Sequence, residues 1–172
     1  MTTSNSSPRS TAAVLPVEQY VAGLPRKRMA AGVLFRDSSN RVLLVQPSYK
    51  PNFEIPGGAV EEDEAPWAAA QRELREEIGR DQPLGRLLVV DYVRPQDSRP
   101  EGVIFVFDGG LLTNDDVAAM KFTESEILSA DFHTVEEARS KVKPLLADRL
   151  EATLDAVRLG ITVICEQGRR VS

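Results

Sequence analysis

Hydrophobic and polar residues follow two different periods along this chain of 172 residues. Short apolar runs rich in β-branched and aromatic residues predict strands over 29–36, 42–45, 84–93, 102–108 and 127–134. Apolar residues at helical spacing predict helices over 66–78 and 135–160, the second divided by Pro144. We further expect a short helix over 17–24, a loop over 113–125, and either a strand or a buried extension over 161–165.

Strands on both sides of one central helix, followed by a terminal helix pair, indicate an α+β or three-layer α/β domain. The length suits one domain with a proper core. We assign this domain to residues 26–165. A flexible arm with a short helix is expected over 1–25, and a frayed end over 166–172.

The central helix is the most informative stretch of the chain. A Pro-Gly-Gly turn at 56–58 leads into it, Pro66 suits its first turn, and Gly79 suits its end. Four apolar side chains fall on one face at helical spacing and are expected to pack, namely Trp67, Ala70, Leu74 and Ile78.

A second face of this helix is acidic. Glu73, Glu76 and Glu77 are spaced i, i+3, i+4, and three like charges on one face weaken a helix. A bound divalent cation would reverse that cost, because hard ions such as Mg²⁺ and Mn²⁺ prefer carboxylate oxygens. The alternative is a solvated acidic face, with Arg72 paired to Glu76 four residues later.

The full spacing around this helix resembles the Nudix box. Gly58 is followed after five residues by Glu64, and after seven more by Arg72-Glu73-Leu74-Arg75-Glu76-Glu77-Ile78-Gly79. Only Arg80 departs, since the family usually has an aliphatic residue there. At average residue usage, seven fixed residues coincide by chance about once in a hundred million starting positions, so the match is specific.

The resemblance implies a mixed sheet between helices and hydrolysis of a nucleoside diphosphate linked to another moiety. Water attacks one phosphorus, and the other phosphate leaves. It implies Mg²⁺ or Mn²⁺ held by the backbone carbonyl of Gly57 and by Glu73, Glu76 and Glu77, one of which is alternatively the general base. Gly58 and a pair between Glu64 and Arg72 would support the loop structurally.

Candidates outside the box are weaker. Family members often carry an acid on a later loop, where Glu126 is our first choice, with Glu124 beside it and Glu101 in reserve. Each could equally be a solvated carboxylate. Lys50 and Arg94 are candidates for binding substrate phosphate. The basic run at 26–28 is either a phosphate-attracting patch or a solvated entrance to a strand, and we favour the second interpretation.

Composition narrows the function classes. A net charge of −5 argues against stable nucleic-acid binding but leaves small anionic substrates open. The single cysteine excludes an intrachain disulfide. Without a membrane-length apolar run or a signal-peptide pattern, we expect a cytoplasmic protein without a membrane partner.

The substrate stays open between nucleoside triphosphates and nucleotide sugars such as ADP-ribose, and homodimerisation is also open. The rival hypothesis is a Nudix-fold sensor that binds a nucleotide without cleaving it. Such modules commonly lose glutamates of the box, whereas this chain has all of them.

Overall fold

The structure is a computed structural model that describes residues 15–96, 99–122 and 126–171. Within these ranges the strands are β1 (Arg28–Arg36), β2 (Val42–Pro47), β3 (Gly57–Ala59), β4 (Leu87–Val93), β5 (Gly102–Leu111), β6 (Ile127–His133), β7 (Val163–Glu166) and β8 (Arg169–Arg170). The helices are α1 (Val17–Ala22), α2 (Pro66–Ile78), α3 (Asn114–Ala118), α4 (Val135–Lys141) and α5 (Pro144–Leu159). None of the helices in these ranges combines the length and apolarity needed to cross a membrane.

One mixed sheet forms the middle of the molecule. Its order is β6-β2-β1-β5-β4-β7-β8, and β3 pairs with β1 outside that path. β1 runs parallel to β5, and β4 runs parallel to β7, while the remaining pairs are antiparallel. The predicted mixed sheet between helices is therefore confirmed.

Side chains along β1 alternate between the two faces of the sheet, and each face carries one half of the core. Leu34 faces the side that α4 and α5 cover, while its neighbours Val33 and Phe35 face the side that α2 covers. All three side chains are fully buried, as expected for a central strand with helices on both faces. The chain is thus a three-layer domain in which α2 covers one face of the sheet, with Val117 of α3 packed against the same half of the core.

The bounds of α2 follow from local sequence. Pro66 occupies its first turn, and Gly79 ends it in the left-handed conformation with φ of 65°, which glycine adopts without steric cost. Ala70, Leu74 and Ile78 are buried as expected. The expectation that Trp67 packs is wrong, because its side chain is 60% exposed. Periodicity gives the direction of a side chain but not whether another element lies opposite it.

Two further segments differ from the sequence expectations. The predicted loop at 113–125 begins with the helix α3, because Thr113 and Asp116 cap each other's backbone N–H groups. The predicted frayed end is instead a hairpin, in which β7 pairs with β4 and β8 pairs with β7. Residues 1–14 of the predicted arm lie outside the described residues, and α1 has no buried side chain.

The packing of α2 makes a test of the fold. Leu74→Ala is expected to lower the free energy of unfolding by about 2–5 kcal/mol, because it removes a fully buried side chain and leaves a cavity. Trp67→Ala on the same helix should change it by about 0.5 kcal/mol or less, since a largely exposed side chain loses little contact. Urea denaturation of the two variants measures both values, and equal losses would contradict this packing.

Candidate active site

A cavity of about 330 Å³ opens at the place where the loop before α2 enters the sheet. Its floor includes the start of β1 and the two glycines of the Pro-Gly-Gly turn. Glu77 reaches it from α2, and the end of β4 and the start of α5 form the opposite wall. The cavity therefore brings together segments that are far apart in sequence.

The two glycines allow close approach of backbone and side chain at this entrance. Gly57 has φ of 142°, and a Cβ there would collide with the backbone of Ala31 in β1. A Cβ on Gly58 would collide with the carboxylate of Glu73. β3 can therefore pair with β1 while lying directly against α2.

Arg72 organises the carboxylates around α2. Its Nε and Nη2 donate to the two carboxylate oxygens of Glu64, each at 3.0 Å, in the two-pronged arrangement that suits a guanidinium. Its Nη1 donates to Glu73 at 2.9 Å and to Glu76 at 3.0 Å. Nη2 also donates to the carbonyl oxygen of Ala59 at 3.0 Å. One side chain thus ties the loop to the helix.

The pKa values of Glu64 and Glu73 are shifted in opposite directions. Hydrogen bonds from Arg72 hold the pKa of Glu64 below its ordinary value. Burial raises the pKa of Glu73, with the charges of Glu76 and Glu126 adding to the rise and Arg72 opposing it. The predicted salt bridge between Arg72 and Glu76 is present as well, so that part of the solvated-face alternative also describes the structure.

Glu77 is the most perturbed carboxylate of the group. Its pKa is raised from 4.5 to about 8, mainly by burial and to a smaller extent by the charges of Glu73 and Glu126. The backbone N–H of Gly57 opposes the rise by donating to its Oε2 at 2.8 Å, and the charge of Lys50 opposes it weakly. In the absence of a cation, this carboxyl therefore favours its proton at neutral pH.

The carboxylates of Glu73, Glu76 and Glu77 are chemically suited to a divalent ion, although they do not form a complete metal site in their present arrangement. No group of three potential ligands at metal-binding spacing occurs among residues 15–96, 99–122 and 126–171. Glu73 and Glu76 turn to Arg72, and Glu77 turns to the N–H of Gly57. The pKa values of Glu73 and Glu77 are raised by burial and, to a smaller extent, by neighbouring negative charge, and a bound hard cation would stabilise their charged forms. The residues therefore fit Mg²⁺ or Mn²⁺.

Glu126 and Glu101, the described candidate acids outside the box, have different surroundings. Glu126 is exposed and lies near enough for its charge to raise the pKa of both Glu73 and Glu77. Its carbonyl oxygen accepts a hydrogen bond from the N–H of Ser48 at 2.8 Å. Glu101 instead bonds Lys27 and Tyr92, and neither Glu101 nor Glu126 lines the cavity. Glu124 lies outside the described residues.

The cavity wall is strongly basic. Lys50 and Arg94 both line it, Lys50 paired with Glu54 at 2.9 Å and Arg94 paired with Glu166 at 2.7 Å. Sequence reasoning missed the remaining cationic lining, which comprises Arg28, Arg99, Lys143 and Arg149. Of these, only Arg28 had a sequence signal, in the basic run at 26–28. The others come from separate segments with no fixed spacing between them.

Comparison with known proteins agrees with this geometry. A family model described as NUDIX domain matches residues 26–155. The chain is 42% identical over 82 residues to mouse diphosphoinositol polyphosphate phosphohydrolase 3-alpha, an alignment that covers 46% of this chain and 49% of that protein. The chain thus spans about half the length of the curated relatives it matches.

Solved structures share the fold. The MutT protein of Methanosarcina mazei Go1 has a TM-score of 0.62 at 19% identity, with coverage of 80% of this chain and 99% of that one. A UDP-X diphosphatase has a TM-score of 0.65 at 18% identity, with coverage of 90% and 77%. With a family model matching most of its length and Glu77 of the box at the cavity, the chain belongs to the NUDIX domain family.

Proposed function

We propose that this chain is a divalent-metal-dependent pyrophosphohydrolase that cleaves the diphosphate linkage of a nucleoside diphosphate joined to another moiety. The observation that carries the proposal is Glu77, a half-buried carboxyl at the cavity with a pKa raised to about 8. Perturbed titratable groups in a cavity are typical of active sites. The similarity to a relative named as a phosphohydrolase supports a diphosphate substrate.

Each residue has a proposed part in this reaction. Glu73, Glu76, Glu77 and the carbonyl oxygen of Gly57 would hold Mg²⁺ or Mn²⁺. When bound, such an ion shields the charge of the diphosphate and lowers the pKa of water. Arg72 and Glu64 keep the loop against the helix, a supporting part that fixes ligands in place.

Glu126 is proposed as the general base. It is an exposed carboxylate beside the buried pair of glutamates and is not engaged by Arg72 in any described contact. A base must accept a proton from water beside these glutamates, which an exposed carboxylate can do while the buried ones hold the cation. Lys50 and Arg94 would bind phosphate oxygens of the substrate.

A second candidate substrate is a diphosphate carried on a polyphosphorylated small molecule. Six of the described cavity-lining residues are basic and two are acidic, which favours a ligand with more negative charge than a nucleotide sugar. The name of the mouse relative, a diphosphoinositol polyphosphate phosphohydrolase, points to the same class.

A panel of three substrates tests metal dependence and substrate class. ADP-ribose, a nucleoside triphosphate and a diphosphoinositol polyphosphate are each incubated with and without Mg²⁺, and the released product is measured. We expect metal-dependent cleavage, with kcat/KM for the most highly charged substrate falling most steeply as salt is added. Tight binding of every compound without cleavage would instead identify a sensor.

The carboxylates make the second prediction. Glu76→Gln and Glu77→Gln are each expected to lower kcat/KM at least about a hundredfold and to weaken Mg²⁺ binding, because a charged ion ligand is lost. Glu126→Gln should lower kcat while Mg²⁺ affinity stays close to that of the wild type. Glu62→Gln, an exposed carboxylate before the helix, is the matched control. Wild-type activity in the Glu77 variant would refute the site.

The buried carboxyl also makes stability depend on pH. Between pH 4.5 and about 8 the folded protein binds the Glu77 proton more tightly than the unfolded chain does, so the free energy of unfolding of the metal-free protein should fall as pH rises through that range. Mg²⁺ should restore stability at the upper end by taking the place of the proton. Glu77→Gln should flatten the slope and weaken the Mg²⁺ effect. Urea titrations across pH measure both, and an unchanged slope would contradict the assignment.

A further inference from the structure

A buried ion pair lies on the cavity wall opposite the box. Asp91 of β4 is fully buried, and its Oδ2 accepts a hydrogen bond from Nε of Arg149 in α5 at 2.8 Å and forms an ion pair with Nη2 of the same side chain at 2.7 Å. The backbone N–H of Gly168, in the turn between β7 and β8, donates to the same carboxylate at 3.0 and 3.1 Å. Three elements therefore meet at one carboxylate.

The C-terminal hairpin holds this arrangement in place. Gly168 has φ of 79°, and a Cβ there would crowd the first turns of α5, so the hairpin turn packs directly on that helix. The hairpin also fixes Arg94, whose N–H donates to Gln167 at 2.8 Å and whose Nε donates to Glu166 at 2.7 Å. Most of this hairpin lies beyond the 26–155 match to the family.

Stability alone does not explain the pair. A buried ion pair is often no more stabilising than two well-packed apolar side chains of similar size. Arg149 lines the cavity and keeps 10% of its side chain exposed. Its Nε and Nη2 are committed to Asp91, and Nη1 has no hydrogen-bond partner in the described part of the chain. A guanidinium held by two nitrogens presents the third in a fixed direction.

The surroundings of Arg149 suit an anion. Lys143 also lines the cavity, one residue before α5 begins, and its ammonium has no ion pair among the described residues. The first turn of α5 follows at the same wall through Leu145 and Leu146 and adds the partial positive charge of a helix N-terminus.

We propose that Arg149, positioned by Asp91 and the β7–β8 hairpin, is a specificity-determining residue that binds an anionic group on the part of the substrate away from the scissile diphosphate. This inference rests on the proposed function and narrows its substrate to the polyphosphorylated class. Asp91 is a positioning residue that acts through Arg149.

The test removes the charge without leaving a buried carboxylate unpaired. The double variant Asp91→Asn with Arg149→Met keeps an oxygen that can accept the N–H of Gly168 and replaces the guanidinium by an apolar side chain. Arg158→Met is the control, because Arg158 lies on the same helix, pairs with Asp155 on the surface and does not line the cavity. Thermal unfolding of each variant reports whether the fold is kept.

Two readouts separate this inference from the proposed function. The first is calorimetric binding of inositol hexakisphosphate, a compact polyanion without a diphosphate. The second is the kinetics of ADP-ribose and of a diphosphoinositol polyphosphate. In the double variant we expect the affinity for inositol hexakisphosphate to fall about tenfold or more, which is the effect of losing a charged hydrogen bond. KM for the polyphosphorylated substrate should rise similarly at constant kcat, with ADP-ribose kinetics nearly unchanged.

Other outcomes would contradict either this inference or the proposed function. Equal losses for both substrates would show a merely structural pair, and unchanged binding of inositol hexakisphosphate would overturn the inference. Absence of turnover with every substrate would refute the proposed function, while the binding measurement with inositol hexakisphosphate would still report on Arg149.

If the double variant does not fold, Arg149→Lys is the variant to measure. It keeps the positive charge but lacks the planar guanidinium, whose N–H groups have fixed directions. It should weaken inositol hexakisphosphate binding relative to wild type and to Arg158→Met, and unchanged affinity would overturn the inference.

Discussion

Repulsion among carboxylates on one face of α2 is the constraint on which the rest of the site depends. Arg72 relieves part of it by donating to Glu64, Glu73 and Glu76 at 2.9–3.0 Å. Glu77 has no described contact with Arg72. Its burial, together with the charges of Glu73 and Glu126, raises its pKa to about 8 although the backbone N–H of Gly57 opposes the rise. The helix therefore carries an electrostatic cost that only a proton or a cation at Glu77 can remove.

The close packing around α2 serves the same constraint. Gly58 must be a glycine because the Glu73 carboxylate occupies the space of a side chain. Gly57 must be one because the backbone passes against β1 with a positive φ. The carboxyls of Glu73 and Glu77 are thereby largely buried, and in such surroundings each charge acts more strongly on its neighbours than it would in solvent.

The parts of this arrangement that depend on local sequence could be predicted. Pro66 and Gly79 set the bounds of α2, and the resemblance to the Nudix box implied the ion pair between Arg72 and Glu64. Trp67 shows the limit, because helical periodicity cannot tell whether a side chain meets another element. The β7–β8 hairpin shows it again. It is held by Asp91, 77 positions before Gly168, and no local signal in its own residues reports that contact.

The two ends of the cavity solve opposite electrostatic problems. The box end carries the carboxylates that would bind a cation. The far wall carries cationic side chains, which would repel that ion if all of them were unpaired. Several are instead matched with a carboxylate, as Arg94 is with Glu166 and Arg149 with Asp91. These ion pairs lower the net positive charge of the wall, while the N–H groups of the paired side chains keep fixed directions. A metal ion can therefore be held at one end while the other end recognises an anion by direction of hydrogen bonds as well as by charge.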